Sequence, residues 1–307
     1  MSTAGSKRAV FAALIANLGI ALAKFAGFAI TGSSSMLAEA VHSVADTGNQ
    51  LLLLLGVKRA KKAPTAAHPF GYGRERYFWA FVVSIVLFTL GSAFALFEGV
   101  EKLLHPHELE SPGVAIAILL VAAGLEGFSF RTAVRESDPL RGTASWAQFI
   151  RRSKSPELPV LLLEDAGALI GLTIALVCVL LAVVTGSSVW DGIGSCLIGL
   201  LLGVIAIVLA TEMKSLLIGE SASDDDLVAI RRAIDGAPSV LRVIHLRTEH
   251  IGPEELLVGA KIEFEPTLAL TELAISIDDV EGRIRAAVPS ARVIYLEPDV
   301  ARDPHPG

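Results

Sequence analysis

The sequence predicts a polytopic α-helical membrane protein with six transmembrane helices, followed by a small cytoplasmic α+β domain. Of its 307 residues, 52% are hydrophobic and only 19% are charged, whereas a soluble globular chain carries roughly 25% charged residues. Apolar runs of about 20 residues, each long enough to cross a bilayer, fill the first two thirds of the chain. From about Gly219 the composition becomes that of a soluble domain. We therefore predict a membrane domain at residues 1–216 and a cytoplasmic domain at residues 217–307.

The apolar runs define the six predicted spans. They lie at residues 10–30, 35–55, 77–103, 112–133, 157–184 and 190–212. The first run is preceded by Lys7 and Arg8, as in a signal peptide, but it is too long for a signal-peptide core and contains Lys24. We interpret it as a spanning helix that is not cleaved.

The loops predict the orientation of the spans. Two alternate loops are rich in basic residues, and the remaining loops carry few or none. The basic residues are Lys58, Arg59, Lys61, Lys62, Arg74 and Arg76 after the second span, and Arg131, Arg135, Arg141, Arg151, Arg152 and Lys154 around the loop after the fourth. Positive charge favours the cytoplasmic side, so both termini are predicted to be cytoplasmic, with a bacterial inner (plasma) membrane as the expected location. A net charge of −6 argues against a nucleic-acid partner.

The C-terminal region predicts a helix–strand–strand–helix–strand order. Ser223 followed by three aspartates is typical of a helix N-cap with acids in the first turn, which we prefer to the alternative of a metal site. Residues 240–249 and 256–264 are predicted strands, 271–287 an amphipathic helix and 291–296 a third strand. This order indicates a ferredoxin-like α+β domain with two helices on one face of a sheet.

The second span contains polar residues that a lipid environment disfavours. Glu39, His42, Asp46 and Asn49 are spaced three, four and three residues apart, so they share one face of a helix. A carboxylate buried without a cation is costly, and imidazole and carboxylate are ligands of borderline divalent metals such as zinc. His42 and Asp46 are therefore predicted metal ligands. Glu39 is a ligand or a residue of the exit path, and Asn49 a pathway residue or a helix-packing group.

Two further spans carry acids at membrane depth. Glu164 and Asp165 follow each other on the fifth span, and neighbours on a helix point about 100° apart. Asp165 is the preferred ligand facing Asp46 and His42, and Glu164 is either a ligand or bonded to another helix. Glu126 on the fourth span is a candidate for proton handling or packing. Lys24 on the first span either snorkels to the interface or pairs with an acid.

Two motifs resemble the cation diffusion facilitator family of zinc transporters. The first runs from Gly32-Ser33-Ser34-Ser35 to His42-Ser43-Val44-Ala45-Asp46, and the second is His68-Pro69-Phe70-Gly71-Tyr72-Gly73-Arg74-Glu75-Arg76. Leu161 before Glu164-Asp165 most resembles the branch that includes zinc transporter nine. The resemblance implies a homodimeric antiporter that exports Zn²⁺ or a related divalent ion from the cytoplasm in exchange for protons. It implies four ligands, at positions 42, 46, 161 and 165, and a C-terminal domain that dimerises.

The sequence departs from the family pattern at two places. Position 161 is leucine, which cannot bind a metal, so Glu164 or water must complete the site or its coordination must differ. In the C-terminal domain, the positions that carry zinc-binding histidines in many relatives are Ala274 and Tyr295. We therefore predict a domain without a zinc cluster, with His245 and His250 as separate surface residues.

These observations predict an antiporter that transports a divalent cation by alternating access, and Zn²⁺ is the expected ion. The metal is the cargo, and no resident cofactor is expected. One alternative is a family member that has lost transport and acts as a membrane-anchored regulator or scaffold, which Leu161 favours. The other is a membrane enzyme for metal-assisted hydrolysis, which we disfavour because no loop offers a nucleophile with a base.

Overall fold

A computed structural model of the protein describes the backbone of residues 3–106 and 111–300 and the side chains of residues 17–106 and 111–300. Residues 301–307 of the predicted C-terminal domain lie outside the described part. The contacts divide the chain into two compact units. The first contains residues 1–58 and 77–214, and the second contains residues 59–76 and 215–307. The basic loop 59–76, which the sequence assigned to the membrane domain, thus groups with the C-terminal residues.

Long helices make up the first unit. They are α1 (Thr3–Thr31), α2 (Ser34–Ala60), α3 (Glu75–Leu104), α4 (Pro112–Arg141), the short α5 (Trp146–Arg152), α6 (Glu157–Thr185) and α7 (Val189–Ile218). Within α3 the α-helical parts Glu75–Val86 and Phe94–Leu104 flank a π-helical segment, Leu87–Ala93. Helix α4 packs against α1 and α6.

Four helices of the described residues are long and apolar enough to cross a membrane. They are α3, α4, α6 and α7, and a shorter apolar stretch of α1 covers Asn17–Thr31. Helix α2 has 27 residues and at 1.5 Å per residue exceeds a hydrocarbon core of about 30 Å. Its apolar character is interrupted by the polar stripe from Glu39 to Asn49, and the six-span count stays a prediction.

The short helix α5 is fixed between α4 and α6. Ser145 accepts a hydrogen bond from the backbone N–H of Gln148 at 3.2 Å, and the Gln148 side chain accepts one from the Ser145 N–H at 3.0 Å. This capping box satisfies two otherwise unpaired donors. Phe149 of α5 then packs into a small core with Ala133 of α4 and Leu162 of α6.

The C-terminal part of the second unit contains two helices and a three-stranded sheet. Its elements are α8 (Asp224–Asp235), β1 (Val240–Gly252), β2 (Glu255–Phe264), α9 (Leu270–Ala287) and β3 (Ala291–Pro298). Strands β1 and β2 are antiparallel, whereas β2 and β3 are parallel and are joined through α9. Ser223 caps α8 by accepting from the Asp226 N–H, which confirms the predicted cap.

Alternate residues of β2 face one core. Leu256, Val258, Ala260, Ile262 and Phe264 are buried, and both helices contribute to the same cluster. This is the strand periodicity of two, and it matches the predicted placement of both helices on one face.

The prediction that His250 is a surface residue is wrong. Its side chain is buried, while His245 on the same strand is exposed. Irregularities in the β1–β2 register lie at Val243/His245 and at His250/Gly252. Between these two points, from His245 to His250, the pairing with β2 is continuous, so the two histidines, five residues apart, lie on opposite faces of the sheet. His250 is buried because it lies opposite Leu256, which belongs to the core.

Candidate metal-transport site

Helix α2 places its polar stripe inside the first unit. Glu39, His42 and Asn49 are fully buried, and Asp46 is 8% exposed. The spacing of three and four residues brings these side chains to one helix face. His42 Nδ1 lies 3.5 Å from Asp46 Oδ1. The predicted pair is therefore adjacent and buried inside the first unit.

The His42–Asp46 pair has polar atoms that its surroundings do not satisfy. Within the described residues, His42 Nδ1, His42 Nε2 and Asp46 Oδ1 have no hydrogen-bond partner. Buried polar atoms are nearly always paired, and each exception requires an explanation. Neutral imidazole nitrogen and carboxylate oxygen are metal ligands, so these atoms are chemically suited to binding a divalent cation.

Helix α6 carries Glu164 and Asp165, the two acids that were predicted on the fifth span. Glu164 and Asp165 are both buried, but they point to different helices. Glu164 accepts a hydrogen bond from Asn49 of α2 at 2.6 Å, and Asp165 accepts one from Ser129 of α4 at 2.9 Å. The divergence follows from the rotation of about 100° between neighbouring helix positions. Ser129 was not recognised from the sequence, where it is one serine among apolar residues.

Asp46 lies close enough to both α6 acids, and to Glu126 of α4, to interact with each electrostatically. In the part of the chain that the structure describes, no three His, Cys, Asp or Glu side chains are arranged to hold one metal ion together. For several of these side chains to bind one cation together, they must therefore rearrange from the positions seen here. The four-residue ligand set stays a prediction.

Leu161 lies one turn before Asp165 and is half-buried. It lines a cavity of about 200 Å³ whose wall is mostly apolar. The other lining residues are Gln50, Leu53, Leu54, Val57, Ser129, Thr132, Ala133, Glu136 and Glu157. Since Ser129 both lines this cavity and binds Asp165, the cavity reaches the edge of the acidic site.

Glu39 binds a lysine. Lys24 Nζ of α1 lies 3.1 Å from Glu39 Oε2 and donates to Ser43 Oγ at 2.7 Å. Both charged side chains are fully buried. The structure therefore selects pairing over snorkelling for Lys24. Glu126 is also buried and interacts electrostatically with Lys24.

A further carboxylate, Asp191, lies in the first turn of α7. The structure buries it completely and surrounds it with donors from Ser33, Ser34 and Ser35 at the start of α2. The signal in the sequence was the run of three hydroxyl residues after Gly32.

The comparisons with known proteins agree with this architecture. Residues 10–218 match the family model of the cation efflux transmembrane domain. The mouse mitochondrial proton-coupled zinc antiporter SLC30A9 is 31% identical over 245 residues, which are 79% of this chain and 43% of that protein. The cation-efflux pump FieF of Escherichia fergusonii is 27% identical over 308 residues, which are 98% of this chain and 95% of the pump.

The C-terminal part also matches a solved MamM-CTD variant. The identity is 18% and the TM-score 0.24, over 25% of this chain and 93% of that one. The chain spans less than half the length of the mouse antiporter. The match to the family model nevertheless runs from within α1 to the end of α7, and it confirms the resemblance carried by the two motifs. The chain is a multi-pass membrane protein that belongs to the cation diffusion facilitator (cation efflux) family, close to the branch that includes SLC30A9.

Proposed function

We propose that this protein is an antiporter that exports a divalent metal cation, first of all Zn²⁺, from the cytoplasm in exchange for protons. The observation that carries the proposal is the buried His42–Asp46 pair with its three unpartnered polar atoms. The names of two relatives, a proton-coupled zinc antiporter and a cation-efflux pump, support it. The cation is cargo, and the protein is a transporter rather than an enzyme.

The chemistry of the site accounts for exchange. An imidazole binds a metal only when it is neutral, and a carboxylate only when it is ionised. We propose that His42 and Asp46 hold the cation with Asp165, and that Glu164 joins them after releasing Asn49. Protons taken up at His42 and the acids on the far side then displace the cation, while the helices alternate between inward-facing and outward-facing states.

The proposed topology has six spans, with α1 and α2 added to the four apolar helices. The basic loops support a cytoplasmic position for both termini, in a bacterial inner membrane. Residues 217–307 are proposed to join two copies of the chain into a homodimer. Glu39, Glu126 and Asn49 belong to the ion or proton pathway.

Flux into liposomes tests this proposal. The purified protein is reconstituted, a pH gradient is imposed, and Zn²⁺ movement is followed with an indicator dye. We expect flux that follows the gradient in the wild type and is lost in His42→Ala with Asp46→Ala. His245→Ala, which removes an exposed histidine of β1, is the matched control and should transport normally. Flux that ignores the gradient, or survives loss of the pair, contradicts the proposal.

The alternative is a family member that no longer transports and serves as a membrane-anchored regulator. Leu161 at a predicted ligand position favours it. The two proposals differ in a measurement that needs no flux. A regulator of this kind binds no Zn²⁺ at the His42–Asp46 pair, so titration calorimetry gives the same heats for the wild type and the double variant.

A further inference from the structure

We propose that Lys24 is a resident counter-cation of the transport site, which lowers the affinity of the neighbouring His42–Asp46 pair for a divalent cation and thereby favours its release. The inference rests on the proposed function and assigns an affinity-determining role to a residue that does not bind the metal.

Lys24 is positioned by a specific set of contacts. Its ammonium reaches from α1 to two α2 residues, Glu39 at 3.1 Å and Ser43 at 2.7 Å. Gly171 of α6 leaves the space that Glu39 Oε1 occupies, since a Cβ at that position would overlap the oxygen. The pair is thus held among three helices, and the lysine side chain has no exposed surface.

These contacts put a fixed positive charge beside the predicted ligands. Ser43 directly follows His42, and Glu39 lies one helical turn before it on the same face. Lys24 interacts electrostatically with His42, Asp46 and Glu126 as well as with Glu39. An arriving dication therefore meets the field of the ammonium as well as that of the acids.

The balance of charge explains why such a residue is useful. Five buried acids of α2, α4 and α6 interact electrostatically within one cluster: Glu39, Asp46, Glu126, Glu164 and Asp165. A dication that lies near that many carboxylates in a poorly screened interior is bound strongly. Transport requires release as well as binding. A lysine that offsets the charge of one carboxylate, and cannot leave with the cargo, lowers the affinity of the site for the dication.

A purely structural ion pair between α1 and α2 predicts a different pattern. In that case, removing either partner disturbs the same helix contact, and both variants bind the metal more weakly. A counter-cation predicts opposite signs. Without Lys24 the site gains negative charge, whereas without Glu39 it keeps an uncompensated positive charge.

The experiment is Zn²⁺ titration calorimetry on the full chain in detergent at mildly alkaline pH, where carboxylates are most readily ionised. A unit charge acting on a dication through an effective dielectric of about 20 changes the dissociation constant by about tenfold or more. We expect Lys24→Met to bind Zn²⁺ about tenfold more tightly and to release it more slowly from proteoliposomes. Glu39→Gln should bind about tenfold more weakly, and the double variant within about threefold of the wild type.

Two further variants keep the test decisive. Lys24→Arg retains the charge and should bind as the wild type does, which separates charge from packing. Lys214→Met removes an exposed lysine of α7 and should change nothing. Weaker binding in both Lys24→Met and Glu39→Gln overturns the proposal, as does unchanged binding in both. If the wild type itself neither binds nor moves Zn²⁺, the proposed function has failed instead.

Discussion

At the scale of single residues, Leu161 offers the clearest test of the site. It precedes Asp165 by four positions, the same spacing that joins His42 to Asp46, and it lines the cavity beside Ser129. In Leu161→His an imidazole would stand on the same helix face as Asp165. We expect Zn²⁺ affinity to rise by at least about tenfold, since the change supplies a nitrogen ligand. Titration calorimetry on the purified chain measures this.

The control for this change is Leu161→Gln, which introduces a polar side chain of similar length that is a poor zinc ligand. It should leave the affinity near that of the wild type. If both variants bind equally, the imidazole is not reaching the cation, and position 161 does not belong to the site.

The residue scale also separates what the sequence could predict from what it could not. The burial of His42 and Asp46 followed from periodicity within one helix, which needs no knowledge of its neighbours. The partners of Lys24, Glu164 and Asp165 lie on other helices, at sequence separations of 15 to 115 residues. Those contacts depend on how each helix is rotated against the next, and apolar runs do not encode that rotation.

At the scale of elements, the start of α2 is fixed by a carboxylate from α7. Asp191 accepts hydrogen bonds from Ser33 Oγ at 2.8 Å, Ser34 N at 2.8 Å and Ser35 N at 3.3 Å, and also from the Ser35 hydroxyl. Lys102 of α3 lies 4.0 Å from Asp191. The first backbone N–H groups of a helix lack intrahelical partners, and a carboxylate there also complements the helix dipole. The helix that carries His42 is therefore anchored to α7 through its first turn.

Replacing this carboxylate should destabilise the membrane part of the protein. In Asp191→Asn one acceptor oxygen becomes a donor facing other donors, so we expect a loss of about 1.5–3 kcal/mol, the range for a hydrogen bond to a charged group. Thermal unfolding in detergent, followed by circular dichroism, measures the change. Glu101→Gln removes an exposed acid of α3 and serves as the control. Equal unfolding temperatures for all three proteins contradict an anchoring role.

Element boundaries were predictable where a local signal exists. Ser223 with its three aspartates identified the start of α8 because an N-cap is made within a few residues. The π-helical segment in α3 and the irregular register of β1 carry no such signal. The burial of His250 carries no local signal either, because it depends on the pairing of His250 with Leu256 of β2, which lies on the core face.

At the scale of the whole molecule, the C-terminal elements have a core of their own. Its buried members run from Ala222 to Ile294 and come from both helices and from β2 and β3, and partly buried residues of β1 pack against them. Residues 217–307 should therefore fold when expressed alone, because their apolar surface is buried without the membrane helices. We expect a single cooperative transition on thermal unfolding. A fragment with secondary structure but a broad, non-cooperative transition would show that the core needs the rest of the chain.

The loop between α2 and α3 contacts these same elements. We expect its close backbone packing at Gly73 to fix it in place more strongly than its ion pair does. A Cβ at Gly73 would come within 2.7 Å of Ile251 O and 2.9 Å of Gly252 Cα, and backbone atoms cannot swing aside. The neighbouring ion pair Arg74–Glu249 is 42% exposed on each side, so it contributes about 1 kcal/mol or less.

Hydrogen exchange of residues 59–76 in the full chain separates the two contributions. We expect Gly73→Val to speed exchange by more than about tenfold and Arg74→Ala by less than about fivefold. If Arg74→Ala releases the loop and Gly73→Val does not, charge is the dominant contact.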